Sequence, residues 1–357
     1  VHPGATEIPC NGVDEDCDGQ YASVGLDSDG DGVPDLEERP GDFDGDGSLD
    51  SISGNPHDDD YRGAVTVTYG TGTVQHLVRG LDGVAGHADR LDLFGASVAV
   101  GDFNGDGHDD LAIGAPGDQV SGHVAAGSVS VVYGSTKGLV GVGDMLLHQD
   151  STGIKGVAEQ ADFFGETLTV GDFDGDGYAD LAVGVPQEDI GATENGGYAA
   201  VLYGSSVGVS AVDDGWHQNA SGINGVSESM DHYGGAIVAI DINGDSYDEL
   251  VVGVPGEDTA DGTDAGAVQT LFGTVGGLTS AGDQILLPAA LGLDADQAHM
   301  GFDLIGLDTD DDGSNDRIAV AARGDLGTDC GDYRATFDMT VVVIYPDNGS
   351  LAPRCDQ

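Results

Sequence analysis

The chain has 357 residues, and its 65 acidic residues against 10 Lys and Arg give a formal net charge of −55 at pH 7. Such a charge repels nucleic acid and anionic membrane surfaces, so neither is an expected partner. Glycine is abundant, at 62 residues, and aromatic residues make up only 6%, which favours many short strands joined by tight turns over long helices.

The excess of acid has two explanations that composition leaves open. A surface adapted to high salt would carry it, and the low lysine count (Lys137 and Lys155) agrees with that explanation. Bound metal would also account for it, because a compact acidic chain needs cations to offset its self-repulsion. The positions of the aspartates in the sequence bear on the second explanation, bound metal.

The N-terminal segment, residues 1–40, is predicted to be distinct from the remainder, residues 41–357. Its sequence CNGVDEDCDG, at residues 10–19, resembles a Cys- and Asp-rich metal-binding motif of secreted bacterial proteins. The aspartates that could bind calcium there are Asp14, Asp16 and Asp18. A disulfide-stapled cap over an open sheet edge is an equally good interpretation.

The next element is an acidic loop that matches the pattern D-x-D-x-D-G-x₅-E, in which one loop surrounds Ca²⁺ with oxygen ligands. Its candidate ligands are Asp27, Asp29, Asp31, Val33 through its carbonyl, Asp35 and Glu38. No strong helix flanks the loop, and it resembles the calcium repeats of bacterial thrombospondin type 3-like proteins. Alternatively, residues 21–26 form a strand and the loop belongs to a sixth, degenerate repeat.

From residue 41 onward the sequence repeats itself. The block FGASVAVGDFNGDGHDDLAIGAPGD begins at Phe94 and recurs from Phe164 and Tyr233, with a truncated copy from Gly41 and a weaker copy from Met300. The first Asp of the acidic loop falls at positions 42, 102, 172, 241 and 308, so the spacings are 60, 70, 69 and 67 residues. A period of this length suits one blade of a propeller.

Each period is predicted to contain four short strands. In the copy that begins at Phe94, the strands lie at residues 97–100, 111–113, 128–133 and 145–148. Equivalents of the third strand are expected at residues 64–69, 198–203, 267–272 and 339–345. The pattern predicts an all-β β-propeller of about five four-stranded blades, with six as the alternative, and an acidic loop between the first and second strands of each blade.

The five acidic loops share one spacing of oxygen-bearing side chains, at loop positions 1, 3, 5 and 9, and position 7 can add its backbone carbonyl. An all-oxygen set favours Ca²⁺ over zinc or copper, and a flexible loop favours it over Mg²⁺. Without a cation, the convergent carboxylates would repel one another. The predicted ligands are Asp42, Asp44, Asp46, Ser48 and Asp50; Asp102, Asn104, Asp106, His108 and Asp110; Asp172, Asp174, Asp176, Tyr178 and Asp180; Asp241, Asn243, Asp245, Tyr247 and Glu249; and Asp308, Asp310, Asp312, Ser314 and Asp316.

The succession of Phe-Gly, an Asp-rich loop and Gly-Ala-Pro resembles the FG-GAP repeat of integrin α-subunits and related bacterial surface proteins, over about residues 41–345. The resemblance implies a β-propeller with calcium in loops on one face, here five or six ions. Integrin heads have seven blades, whereas five acidic loops are countable in this chain. The last copy departs from the pattern, because Ala321-Ala322-Arg323 replaces Gly-Ala-Pro, and this leaves its strand pairing and the closure of the ring open.

The four cysteines lie near the two ends of the sequence, where two local disulfides are the simplest pairing. They are Cys10, Cys17, Cys330 and Cys355. Disulfides imply an oxidising compartment, so we expect a secreted protein at the cell surface or in the extracellular space. The apolar runs are far shorter than a membrane span, so membrane insertion is not expected.

These patterns predict binding rather than catalysis, because the sequence contains no nucleophile elbow and no P-loop, and its loop carboxylates are committed to metal. The first hypothesis is an extracellular calcium-binding structural or adhesive propeller that contacts surface proteins, glycans or copies of itself. Self-assembly into a surface polymer is one version, since an unpaired sheet edge invites strand addition. The alternatives are a carbohydrate-binding, lectin-like propeller and an accessory domain of a secreted hydrolase.

Overall fold

The structure is a computed structural model that describes residues 41–81, 83–211, 213–260, 262–293, 296–307, 317–323, 334–335, 339–346 and 351–352. Several predictions concern residues outside this part of the chain and stay predictions. They concern the segment 1–40 with its loop 27–38, the acidic loop 308–316 and the four cysteines.

Antiparallel sheets follow one another along the described chain. The first sheet has three strands in the order β1-β2-β3: Ser51–Asn55 (β1), Ala64–Thr68 (β2) and Val74–Leu77 (β3). A single irregular turn of helix, α1 (Asp58–Tyr61), lies between β1 and β2. These strands follow an acidic loop in the chain, so they correspond to the second, third and fourth strands of a repeat.

The next three sheets each contain four strands that pair in chain order, so one repeat forms one sheet. The second sheet comprises Ser97–Gly101 (β4), Asp110–Ala115 (β5), Ser128–Tyr133 (β6) and Val140–Leu147 (β7). The third comprises Thr167–Gly171 (β8), Asp180–Val185 (β9), Tyr198–Leu202 (β10) and Asp213–Trp216 (β11). The fourth comprises Ile237–Ile240 (β12), Glu249–Val254 (β13), Ala267–Phe272 (β14) and Thr279–Leu286 (β15), after which comes a 3₁₀ turn, Pro288–Leu291.

The fifth sheet differs where its sequence departs from the repeat. Its strands are Leu304–Leu307 (β16), Arg317–Arg323 (β17), Arg334–Ala335 (β18), Met339–Pro346 (β19) and Leu351–Ala352 (β20), in the order β16-β17-β19-β18 with β20 also pairing with β19. In the second sheet β5 ends at Ala115, immediately before a proline that has no N–H to donate. Arg323 takes the place of that proline, and β17 therefore continues through it to pair with Met339.

The apolar core lies between consecutive sheets, and each of four buried clusters draws side chains from two neighbouring sheets. One cluster contains Val131 of β6 and Val183 of β9, and another contains Val201 of β10 and Val252 of β13. The second strands of the second, third and fourth sheets, β5, β9 and β13, are buried along their whole length because they are covered on both faces. Packing between neighbouring sheets, as well as within them, therefore removes these apolar side chains from water.

A glycine joins each sheet to the next through the Phe-Gly pair of the following repeat. Gly63 forms a parallel bridge with Phe94, and Gly127 forms the same bridge with Phe164. A Cβ atom on Gly63 would lie 2.1 Å from the Phe94 carbonyl oxygen, and its φ is +86°. Only glycine tolerates both the close approach and that backbone conformation.

A cavity of about 460 Å³ is lined by residues from all of these sheets. They include Gly54, Ser97, Thr167, Ile237 and Leu304, one from each sheet in turn. The sheets therefore surround a common space, which is consistent with a propeller-like fold. The prediction of an all-β chain with antiparallel four-stranded sheets is confirmed, whereas the number of blades and the closure of the ring stay predictions.

Candidate metal centres

The acidic loops of the described repeats lie between the first and second strands, as the sequence predicts. Residues 102–109 connect β4 to β5, residues 172–179 connect β8 to β9, and residues 241–248 connect β12 to β13. The truncated first copy forms the same loop between Gly41 and Asp50, whose backbones form an antiparallel bridge.

The aspartate at loop position 1 accepts hydrogen bonds from the backbone that curls around it. Asp102 Oδ1 accepts the N–H groups of Gly105 at 2.7 Å and Asp106 at 3.1 Å, and its Oδ2 accepts that of Gly107 at 2.9 Å. Asp172 and Asp241 accept from the same three loop positions. A carboxylate has about four lone-pair directions, so one stays available for a cation.

Positions 3 and 5 form tight turns in which a side-chain oxygen accepts the N–H two residues further along. Asp106 N–H donates to Asn104 Oδ1 at 2.9 Å, and His108 N–H donates to Asp106 Oδ1 at 3.0 Å. The corresponding bonds in the loop that begins at Asp172 measure 3.1 Å and 3.0 Å. The fourth loop differs at position 3, where Asn243 Nδ2 instead donates to Glu249 Oε1 at 3.0 Å.

In the second, third and fourth sheets, the acid at position 9 is the first residue of the second strand and is buried. Asp110 Oδ2 accepts the Phe103 N–H at 2.9 Å, and its Oδ1 accepts the Gly134 N–H at 2.8 Å. Burial raises the pKa of Asp110 to about 7, and it raises the pKa of Asp180 and of Glu249 to about 7 as well. A nearby cation would oppose this effect because it favours the ionised carboxylate.

Carboxylate oxygens converge in two of the loops. Ligand atoms of Asp42, Asp44 and Asp50 all lie within 4.8 Å of one another, and the same holds for Asp172, Asp174 and Asp176. Calcium–oxygen bonds are about 2.4 Å long, so oxygens on opposite sides of one calcium ion stand about 5 Å apart. The observed separations and the all-oxygen donor set therefore fit Ca²⁺.

Consecutive loops contact each other through residues that the ligand spacing does not reveal. Asp109, at loop position 8, donates its N–H to the Asp42 carbonyl at 3.1 Å and accepts the Asp42 N–H on Oδ2 at 2.8 Å. Asp248 forms the same pair of bonds with Asp172, at 3.0 and 2.8 Å. The partners lie 67 and 76 residues apart in sequence, and only the packing of neighbouring sheets brings them together.

The side chains at position 7 also connect the loops. A Cβ atom on Gly105 would lie 2.5 Å from the Tyr178 ring, and one on Gly175 would lie 2.4 Å from the Tyr247 ring. Each ring therefore covers the glycine at position 4 of the preceding loop. The sequence predicts position 7 only as a carbonyl ligand, and the recurrence of an aromatic or imidazole ring there was the available signal for this second role.

Comparison with known families agrees with the repeat that the sheets display. The FG-GAP repeat family matches residues 94–132, 164–202 and 233–271, and each match runs from a Phe-Gly or Tyr-Gly pair to a third strand. The chain carries FG-GAP repeats. Outside the FG-GAP region, a family described as "Putative metal-binding motif" matches residues 1–22, the Cys- and Asp-rich segment.

Known relatives of the FG-GAP region are much longer proteins. Human phosphatidylinositol-glycan-specific phospholipase D is 35% identical over 164 residues, which cover 45% of this chain and 18% of the relative. Integrin alpha-5 of Xenopus laevis is 32% identical over 224 residues, which cover 61% of this chain and 19% of the integrin. The match thus spans less than a fifth of each relative.

Among solved structures, a rhamnogalacturonan lyase, YesW, superimposes with a TM-score of 0.43 and 15% identity, covering 88% of this chain and 49% of the lyase. A score this low does not establish a shared fold. Within the part of the chain that the structure describes, no helix has both the length and the apolar character needed to cross a membrane.

Proposed function

We propose that the chain is an extracellular, calcium-binding β-propeller of five blades with a structural or adhesive role, and that it acts by binding surface proteins, glycans or copies of itself. One observation carries the proposal: the same oxygen-lined turn recurs at the same place in consecutive sheets, and in two of these turns the carboxylate oxygens lie as close together as calcium requires. The FG-GAP repeats and the similarity to an integrin support an extracellular role.

Calcium would act as a structural ion in these loops. The candidate sites are the loops 42–50, 102–110, 172–180, 241–249 and 308–316, with 27–38 as a sixth. Among the described loops, 102–110, 172–180 and 241–249 each join the first two strands of a sheet, and 42–50, 102–110 and 172–180 each contact the loop of the next sheet. An ion bound there would therefore stabilise both the sheet and its junction with the next. For example, two hydrogen bonds between Asp42 and Asp109 connect the loop 42–50 to the loop 102–110.

Thermal unfolding with matched salts tests the proposal. Calcium that binds only the folded chain stabilises it by about 2.7 kcal/mol per site when its concentration is a hundred times the dissociation constant. We therefore expect calcium to raise the melting temperature far more than sodium chloride of equal ionic strength, and chelation to reverse the effect. Full stability in magnesium or sodium alone would show that calcium is the wrong assignment.

An accessory role beside a catalytic domain is the second candidate, and the similarity to phosphatidylinositol-glycan-specific phospholipase D favours it. The complete reading frame of the gene tests this candidate, because it requires a catalytic domain in the same polypeptide. A lectin role has no comparable support. Sugar-binding platforms use exposed aromatic rings, and the single tryptophan of the chain, Trp216, is only 8% exposed.

A further inference from the structure

A buried arginine lies between two carboxylates at the junction of the first and second sheets. Arg79 Nη2 donates to Asp118 Oδ2 at 2.9 Å, and its Nη1 lies 3.5 Å from Asp92 Oδ2. Nη2 also donates to Ser128 Oγ at 2.8 Å. Arg79 is 2% exposed and Asp92 is 1% exposed. The guanidinium therefore supplies positive charge to a carboxylate pair that is largely withdrawn from water.

The same carboxylate pair recurs at the next two junctions, but without the arginine. Each junction has a set of three residues, in which the first precedes the second by 13 residues and the third by 39. The three sets are Arg79, Asp92 and Asp118; Gln149, Asp162 and Glu188; and Gln218, Asp231 and Glu257. A neutral amide thus takes the place of the guanidinium twice.

The glutamines supply a hydrogen bond but no charge. Gln149 Nε2 donates to Glu188 Oε2 at 2.6 Å, and Gln218 Nε2 donates to a carboxylate oxygen of Glu257. Within the described residues, no lysine or arginine forms an ion pair with any of the four carboxylates in these two sets.

The ionisable groups around the two carboxylate pairs are mostly acidic, so they do not supply the positive charge that Arg79 supplies at the first junction. Next to the second set they are Glu159, Asp189 and His123. Next to the third set they are Glu228 and Asp258.

Several buried oxygen atoms in or beside these two sets have no hydrogen-bond partner among the residues that the structure describes. They are Gln149 Oε1, Gln218 Oε1, Asp231 Oδ1 and Ser227 Oγ, the last from the segment whose Glu228 N–H donates to Asp231. A buried polar atom without a partner destabilises the folded chain, because it has given up its hydrogen bonds to water and gained none in return. Oxygen lone pairs that lack a donor are the groups that coordinate a hard cation, so these atoms point independently to a missing positive ligand.

The pKa values of two of these carboxyl groups agree with a lack of positive charge at the second and third junctions. Burial, with Asp162 nearby, raises the pKa of Glu188 to about 7, and burial with Glu257 nearby raises the pKa of Asp231 to about 7. Both carboxylates are thus destabilised in their ionised form unless positive charge accompanies them.

We propose that the junctions formed by Gln149, Asp162 and Glu188 and by Gln218, Asp231 and Glu257 each bind a hard divalent cation where the first junction holds a guanidinium. These sites differ from the acidic loops. Asp92 precedes β4 and Asp118 follows β5, so the first set lies at the end of this strand pair opposite to the loop, and β5 alone is about 20 Å long. Because of this separation, loop variants and junction variants can be tested independently.

Calcium counting with charge-replacement variants tests the proposal. Gln149→Arg and Gln218→Arg copy the protein's own first junction, and we expect each to lower the number of calcium ions bound at pH 8 by one, and the double variant to lower it by two. The reverse change, Arg79→Gln, should add one ion. If the acidic loops bind no calcium at all, the wild type should still bind two ions and the double variant none.

An unchanged count in folded Gln149→Arg and Gln218→Arg proteins would overturn the proposal. Each carboxylate pair would then share a proton, and in chelator the wild type would lose stability as pH rises from about 4 to about 7, because a raised folded-state pKa stabilises only the protonated form. If the arginine variants do not fold, Glu188→Gln serves instead and should lower the count by one. Glu194→Gln, at an exposed acid, is its control and should leave the count unchanged.

Discussion

At the scale of single residues, each of the four acidic loops that the structure describes is a set of carboxylates held in place by backbone N–H groups. The spacing of oxygens at positions 1, 3, 5 and 9 could be predicted from sequence because the turns that present them are local. Asp109 and Asp248, which join one loop to another, could not be predicted. Their partners lie in the preceding repeat. The third loop has Ala179 at the same position, so no residue type recurs there that would indicate the contact from sequence.

Removing one loop carboxylate should remove one ion. Asp174 converges with Asp172 and Asp176, so Asp174→Ala deletes a ligand and should lower the bound calcium by one, with a lower melting temperature in calcium. Metal analysis after dialysis measures the count. Glu194→Ala removes an exposed acid outside the loops and should change neither quantity. An equal calcium count in Asp174→Ala and wild type would contradict a metal site in this loop.

One loop residue has an unfavourable backbone conformation. Ser246 has φ +71°, where the second and third sheets have Gly107 and Gly177 at φ +84° and +85°. A non-glycine residue in this region costs about 1–2 kcal/mol, partly offset by the larger entropy that glycine has when unfolded.

Ser246→Gly should therefore raise the free energy of unfolding in calcium by about 0.5–1 kcal/mol, measured by denaturant titration. Gly177→Ser, the matched reverse change, should lower it by a similar amount. Destabilisation by Ser246→Gly would show that the serine side chain makes a contribution larger than its strain.

At the scale of elements, the existence and order of the strands followed from the repeat, while their lengths depended on pairing. The fourth strand was expected at residues 145–148, but β7 begins at Val140, where it pairs with Tyr133 after a register shift. Such a shift depends on how two strands align across a turn, so the alternation of apolar residues within one strand does not reveal it.

The glycine bridges between sheets should be sensitive to added atoms. A Cβ atom on Gly127 would lie 2.3 Å from the Phe164 carbonyl oxygen, whereas one on Gly122 would have no atom within 4 Å, and both residues have positive φ. Gly122→Ala measures the cost of the positive φ angle alone, which is about 1–2 kcal/mol. Gly127→Ala adds the steric clash and should therefore lower the free energy of unfolding by more. Equal losses in denaturant titrations would mean that the bridge can move apart without cost.

At the scale of the whole molecule, consecutive sheets share buried clusters and surround one cavity, and the chain carries a net charge of −55. A strong negative charge keeps identical chains apart unless cations bridge them. The proposed self-association therefore depends on calcium as well as on a free strand edge.

Electron microscopy of negatively stained protein tests the self-assembly version of the proposed function. Polymerisation predicts chains of particles in calcium that separate when a chelator is added. A sodium chloride control of equal ionic strength distinguishes bridging by calcium from general charge screening. Isolated particles under all conditions would exclude the polymer while leaving the calcium sites to be judged by metal counting.

The sequence by itself determined the all-β character, the succession of repeats and the place of the described acidic loops before the second strand of each sheet, because strand alternation and turn residues act over fewer than ten positions. Only the tertiary structure decided which loops contact each other, which acids are buried beside Arg79 and which beside a glutamine, and how far each strand extends. Those properties depend on side chains that are dozens of residues apart in the chain and meet only when neighbouring sheets exclude water between them.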